Sequence, residues 1–233
     1  LAVIVPISSI AYLSKLRSEE KLLFDLSRYA SRALSRANEN LYQARNVLGM
    51  LTDEHWEDCS AAHIDRMRQL NVDVMQVDEI AYYRDGRLQC SIWGAAELNI
   101  PEKGADHFLP DGSGIILNVE AAVSRGSAMM AVSRRGHVVL IKPQRMVDVL
   151  LEMRVTIGVA LQNGQLVALS GAAEPELVTR LSRGPLVGAD GRYSYASVNA
   201  PGLLAFAIAD RSEMDDRMWR ELWFLLPFGV GAA

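Results

Sequence analysis

The sequence predicts an α+β domain in which one long N-terminal helix packs on an antiparallel sheet. Three observations carry that expectation. From Lys15 to Leu51 apolar and small residues recur every three or four positions, with no proline and no glycine before Gly49. Beyond Leu70 the period changes to two, and Asp85-Gly86, Arg135-Gly136 and Asn163-Gly164 each stand between alternating apolar runs, as hairpin turns do. Short helical stretches separate these hairpins, and hairpins with intervening helices build α+β domains on antiparallel sheets.

The chain opens "LAVIVPISSIAYL" and closes "LWFLLPFGVGAA", both without a charge. Each run is shorter than the roughly 20 apolar residues that cross a bilayer. Trp219, Trp223 and Phe224 lie where the charges stop, as interfacial aromatics do. Residues 1–14 are therefore expected to end a first transmembrane helix and residues 219–233 to begin a second, with a domain at 15–218 between these two stubs.

The long helix carries its stripe on Leu16, Leu23, Leu26, Ala30, Ala33, Ala37, Ala44, Val47 and Leu51, over a length of order 55 Å. Its alanines favour close approach of a neighbour, either the domain's own sheet or a second helix across a dimer seam. A second helix is expected over 52–70, capped by Thr52 or Asp53. Trp56, Cys59, His63, Met67 and Leu70 then share a narrow arc, and Cys59 points inward. In the Asp85-Gly86 hairpin Leu88, Cys90 and Ile92 alternate with Gln89 and Ser91, so Cys90 also lies on the apolar face.

"PEKGADHFLPDGSG" reads as a loop, "GIILNVEA" and "AMMAVSRRGHVVLI" as strands, and "PQRMVDVLLEM" as a helix led by Pro143. A hairpin at Asn163-Gly164, a short helix in "EPELVTRLSRG", a strand pair in "RYSYASVNAPGLLAFAIAD" and an exit helix in "SEMDDRMWRELWFLLPF" complete the chain.

Composition narrows the function. With 50% hydrophobic and 22% charged residues the chain is globular, not disordered. A net charge of −4 without a basic run leaves no nucleic-acid footprint. A Cys59–Cys90 disulfide would close a loop of about thirty residues and contribute roughly 3 to 4 kcal/mol; two separate buried thiols are the alternative, and pairing is expected only outside the reducing cytosol. His55, Cys59 and His63 recur at four-residue steps, yet the outer two stand about 12 Å apart on a helix, too far for one zinc ion. A thiol or metal enzyme using Cys59 and His63 is a minor reading, since no oxyanion element accompanies the pair. No GxSxG, HExxH, phosphate-binding loop or paired catalytic carboxylate occurs, so no catalytic residue, metal ligand or cofactor is expected here. Tyr82, Tyr83, Arg84 and Trp93 are candidates to line a small-molecule pocket on the sheet.

The layout, with an apolar stub, a long first helix, one cysteine ahead of a hairpin, a second about thirty residues later followed by Ser91, and an exit helix, resembles the CSS-motif sensor domains. These belong to bacterial inner-membrane proteins whose cytoplasmic part is an EAL-type cyclic-di-GMP phosphodiesterase. The motif is placed at Cys90-Ser91, where Ile92 stands instead of the second serine. The resemblance implies a periplasmic, non-catalytic domain with Cys59 and Cys90 as a redox disulfide, oxidised by the periplasmic thiol-oxidase system. It further implies control of the chain's own cytoplasmic EAL domain, with reduction favouring output, and a homodimer through helices in the inner membrane. The alternative is an extracytoplasmic small-molecule sensor of the Cache or PAS-like type, in which the disulfide is a staple.

Overall fold

The computed structural model describes residues 4–56, 58–96, 100–120 and 128–211, with side chains from Leu16 onward. Helix α1 runs Ile4–Asp53, longer than its stripe, and α2 runs Ala61–Asp73. Among the described residues no helix is long and apolar enough to cross a membrane. The side chains of the first apolar run, and all of the second run and the exit helix with Trp219, Trp223 and Phe224, lie outside the described residues.

The second helix begins nine residues later than the position 52 expected from sequence. The Thr52 hydroxyl does not cap a new helix; it donates to the Leu48 carbonyl at 2.6 Å and extends α1. His55 then adopts φ 54°, which breaks the helical path, and Ser60 becomes the N-cap of α2. Trp56 and Cys59 consequently sit in a joint, and only His63, Met67 and Leu70 form the buried face of α2.

The strands are β1 (Glu79–Arg84), β2 (Arg87–Ser91), β3 (Gly94–Ala95), β4 (His107–Phe108), β5 (Gly114–Glu120), β6 (Ala128–Arg134), β7 (His137–Ile141), β8 (Thr156–Leu161), β9 (Leu166–Ser170), β10 (Val187–Asp190), β11 (Tyr193–Ala200) and β12 (Leu203–Asp210), with α3 (Pro175–Ser182) after β9. They form two antiparallel sheets where one was expected, ordered β3-β2-β1-β7-β6-β5-β4 and β10-β11-β12-β8-β9. The division has a clear cause: β7 is paired on both sides, by β6 and by β1, so β8 finds no free edge beside it and starts a second sheet. The stretch expected to be helical at 143–153 yields one 3-10 turn, Pro143–Met146, with no side-chain cap. The chain then runs irregularly to β8, pinned where the Glu152 N–H donates to the Tyr29 hydroxyl.

Both sheets pack on α1, which meets β8, β11 and β12 of the second sheet and β6 and β7 of the first. The stripe residues Leu26, Ala30, Ala33, Ala37, Ala44, Val47 and Leu51 are buried in one core shared with both sheets, whereas Leu16 is exposed. The alanine stripe is thus occupied by the domain itself rather than left as a dimer seam. Polar ties order the sheets along the helix. Arg211, after β12, pairs with Glu19, while Arg45 holds Asp111 at 2.7 Å and Asn40 donates to the Arg145 carbonyl at 3.0 Å. The second sheet therefore adjoins the start of α1 and the first sheet its far end.

Candidate functional site

At that far end the chain turns from α1 into α2, and a small closed network holds the turn. Arg66 Nε and Trp56 Nε1 both donate to the Glu54 carboxylate, at 2.8 Å each. The Arg66 hydrogen bond holds that carboxyl below its ordinary range. Asp58 Oδ1 accepts the Ser60 N–H at 3.2 Å, and the Ser60 hydroxyl accepts the His63 N–H. Cys59 lies between these two caps, half-buried, and faces β2.

Cys90 is fully buried near the end of β2, on the face where the alternation of Leu88, Cys90 and Ile92 placed it. Cys59 and Cys90 are bonded to each other, 31 residues apart, with a Cα–Cα distance of 6.0 Å that lies within the range disulfides span without backbone displacement. The bond joins the α1–α2 joint to the first sheet. A second link runs parallel to it, from Arg68 Nε of α2 to the Ile92 carbonyl at 2.7 Å.

Ser91 has a structural task of its own. Its buried hydroxyl accepts the Trp93 N–H at 3.2 Å and, with the Trp93 side chain, hydrogen-bonds the carboxyl of Glu79 on β1. Glu79 is itself only 5% exposed, and burial pushes its carboxyl above the usual range. In this chain the serine of the motif thus supports a buried acid beside the disulfide strand.

Aromatic rings surround the sulfurs. Trp56 stacks on His63 with centroids 4.9 Å apart, Tyr82 meets His63 edge-on, and His137 of β7 completes the group against both. His63 Nδ1 lies 2.5 Å from the Asp58 carbonyl and His63 Nε2 lies 3.1 Å from His137 Nε2. Burial first, then His63, holds the His137 imidazole down at about 4. One ligating atom from each of Cys59, His63 and Cys90 falls within a group no more than 4.8 Å across.

The structure therefore brings Cys59, Cys90, His63 and Tyr82 together and leaves others apart. Arg84 and Trp93 are exposed while Tyr82 is buried, and the described clefts are lined elsewhere, for example by Met153, Gly171, Tyr193 and Asp210. His55 sits in the exposed turn with its ring against the Asp53 carbonyl, so the four-residue spacing of His55, Cys59 and His63 is not a helical array. Sequence reasoning missed His137 and Glu79. Glu79 reaches Ser91 through the pairing of β1 with β2, whereas His137 arrives through the pairing of β1 with β7, a contact between strands more than fifty residues apart that no local pattern announces.

Comparison with known proteins places the sequence in a family. The family described as "CSS motif domain associated with EAL" matches residues 25–222. The chain is 27% identical over 192 residues to the probable cyclic di-GMP phosphodiesterase PdeB of Escherichia coli (strain K12). That alignment takes in 79% of this chain and 36% of PdeB. The chain thus spans little more than a third of the relative that it matches.

Proposed function

The chain belongs to the CSS-motif domain family associated with EAL, and we propose that it is the periplasmic, non-catalytic redox-sensing part of a larger bacterial inner-membrane protein. In this reading the state of the Cys59–Cys90 disulfide controls a cytoplasmic EAL domain, outside this chain, that hydrolyses cyclic di-GMP. The periplasmic thiol-oxidase system keeps the bond closed, and paired chains transmit its state through their helices and membrane spans. The fold is of the Cache or PAS-like sensor type.

One observation carries the proposal: the single disulfide among the described residues lies across the joint between α1 and α2 and fastens it to β2. A cross-link at a joint biases the arrangement of the helices that meet there. The association of the family with EAL, and the phosphodiesterase name of its E. coli relative, indicate the output.

The test uses the full-length protein in native membranes. Thiol alkylation should find Cys59 and Cys90 protected until a reductant is added. Cys59→Ser and Cys90→Ser should change cyclic-di-GMP turnover equally, and the double variant should match either one. Thiols that are free in the native membrane, or variants that leave turnover unchanged, contradict the proposal. If turnover responds instead to substitutions in a surface cleft, the domain is a ligand sensor with a structural disulfide.

A further inference from the structure

We infer that opening the disulfide creates a metal site: the Cys59 and Cys90 thiolates and the His63 imidazole bind one zinc-class divalent cation, with His137 at the fourth position. The inference deepens the redox reading and rests on one part of it, that the bond can be reduced.

The geometry supports it in several independent ways. A tetrahedral zinc with bonds of about 2.3 Å to sulfur and about 2.0 Å to nitrogen holds its ligand atoms roughly 3.3 to 3.8 Å apart. The two sulfurs and one ring nitrogen of His63 already lie within 4.8 Å of one another, and breaking the bond lets the two sulfurs separate to the spacing of a shared cation. Cys90 and His63 are fully buried, which shields the cation from competing water. His63 is pre-oriented, because its Nδ1–H donates to the Asp58 carbonyl at 2.5 Å and Nε2 is left with the lone pair. A backbone carbonyl on the far nitrogen is the usual outer support of a metal-bound histidine. His137 Nε2 stands 3.1 Å from His63 Nε2, close to the nitrogen spacing of a shared cation. The other His137 nitrogen is buried without a hydrogen-bond partner among the described residues, so the side chain faces the cluster rather than serving a local bond.

The two states exclude each other, and the chemistry balances. A dithiol reductant transfers two electrons and two protons to the Cys59–Cys90 bond, becomes a disulfide itself, and leaves two thiols. The cation displaces both thiol protons as it binds. In reverse, a disulfide oxidant accepts two electrons from the thiolates and two protons from solvent, the sulfur–sulfur bond re-forms, and the cation leaves. The reduced domain then does not simply lose its clamp: with cation present it exchanges a two-point clamp for one that also includes α2, and β7 through His137.

Cobalt titration of the 233-residue chain tests this. After phosphine reduction, one equivalent of Co2+ should produce a thiolate-to-cobalt charge-transfer band with tetrahedral ligand-field absorption, and Zn2+ should displace it. The oxidised chain should show neither. His63→Ala should weaken Co2+ binding about tenfold or more while its cysteines still pair under oxidant, and His137→Ala should alter the ligand-field band. A reduced native chain without the charge-transfer band overturns the inference, as does equal binding by oxidised and reduced native chain; both comparisons stand even if a variant fails to fold. Loss of the cobalt signal with redox-dependent cyclic-di-GMP turnover intact removes the metal and leaves the switch; loss of both removes the switch.

Discussion

The sheet β10-β11-β12-β8-β9 and the sheet β3-β2-β1-β7-β6-β5-β4 rest on the same helix, and only the latter is also bonded to the helical layer covalently. In the former, β12 is buried along nearly its whole length, with alanines on the α1 side and Leu204, Phe206 and Ile208 against Leu177, Val178 and Leu181 of α3. Gly158 opposite Phe206 has no side chain because the ring fills that space: a Cβ there would lie 2.0 Å from it. In the latter, apolar packing on α1 is joined by a covalent bond, a histidine pair and the Arg45–Asp111 ion pair. Packing responds weakly to redox conditions; a disulfide responds directly. The redox-labile contact thus lies at the far end of α1, about 50 Å along the helix from Glu19, while the sheet beside Glu19 is held by packing and the Arg211–Glu19 pair.

The difference can be broken from either side. Phe206→Ala should cost about 3 to 5 kcal/mol by leaving a cavity between β12 and α3, and urea unfolding should give the same loss with and without reductant. Cys59→Ser or Cys90→Ser should cost about 3 to 4 kcal/mol by releasing the loop they close. Reductant should bring the native chain, held free of divalent cations, to the same midpoint and leave the variants unmoved. The two losses should add, since the sites share no partner; strong coupling would mean that the sheets are not separately held.

Smaller effects sharpen the contrast. Ser91→Ala should cost about 1 to 3 kcal/mol, because the buried Glu79 carboxyl loses a donor. Glu79 also sets a pH dependence whose sign follows from its raised folded-state value. Its contribution is fully present below the unfolded value of 4.5 and is lost as pH rises through the higher folded value. Glu79→Gln should therefore gain on the native chain in unfolding experiments as pH is raised across that window, with no such trend for substitutions in β12. Arg66→Ala should cost least, below about 1 kcal/mol, since its partner Glu54 is on the surface.

Local signals in the sequence were read well and distant ones poorly. The turns at Asp85-Gly86 and Arg135-Gly136 were legible because both residues of each adopt positive φ, from 47° to 81°. Asn163-Gly164 marked its hairpin correctly, though there only Gly164 has positive φ and the connection runs from Gln162 to Gln165. The start of α2 was misplaced because Thr52 and Ser60 are equally good caps in sequence, and only the fold decides that Thr52 bonds backward. The inward direction of Cys90 was legible from alternation, whereas Cys59 meets it from the joint before α2 and not from the helical arc that its spacing implied. The second sheet and the approach of His137 both depend on β1 meeting β7, which follows from the whole chain's burial and from no short stretch.

The central claim is that the Cys59–Cys90 bond acts on the far module and spares the near one. Hydrogen exchange on the native chain, oxidised against reduced in chelator, tests it most directly. The account predicts faster exchange on reduction across residues 58–64, in β1 and β2, and in the last turns of α1, with β8, β11 and β12 unchanged. Equal change in both sheets, or none in either, would contradict it.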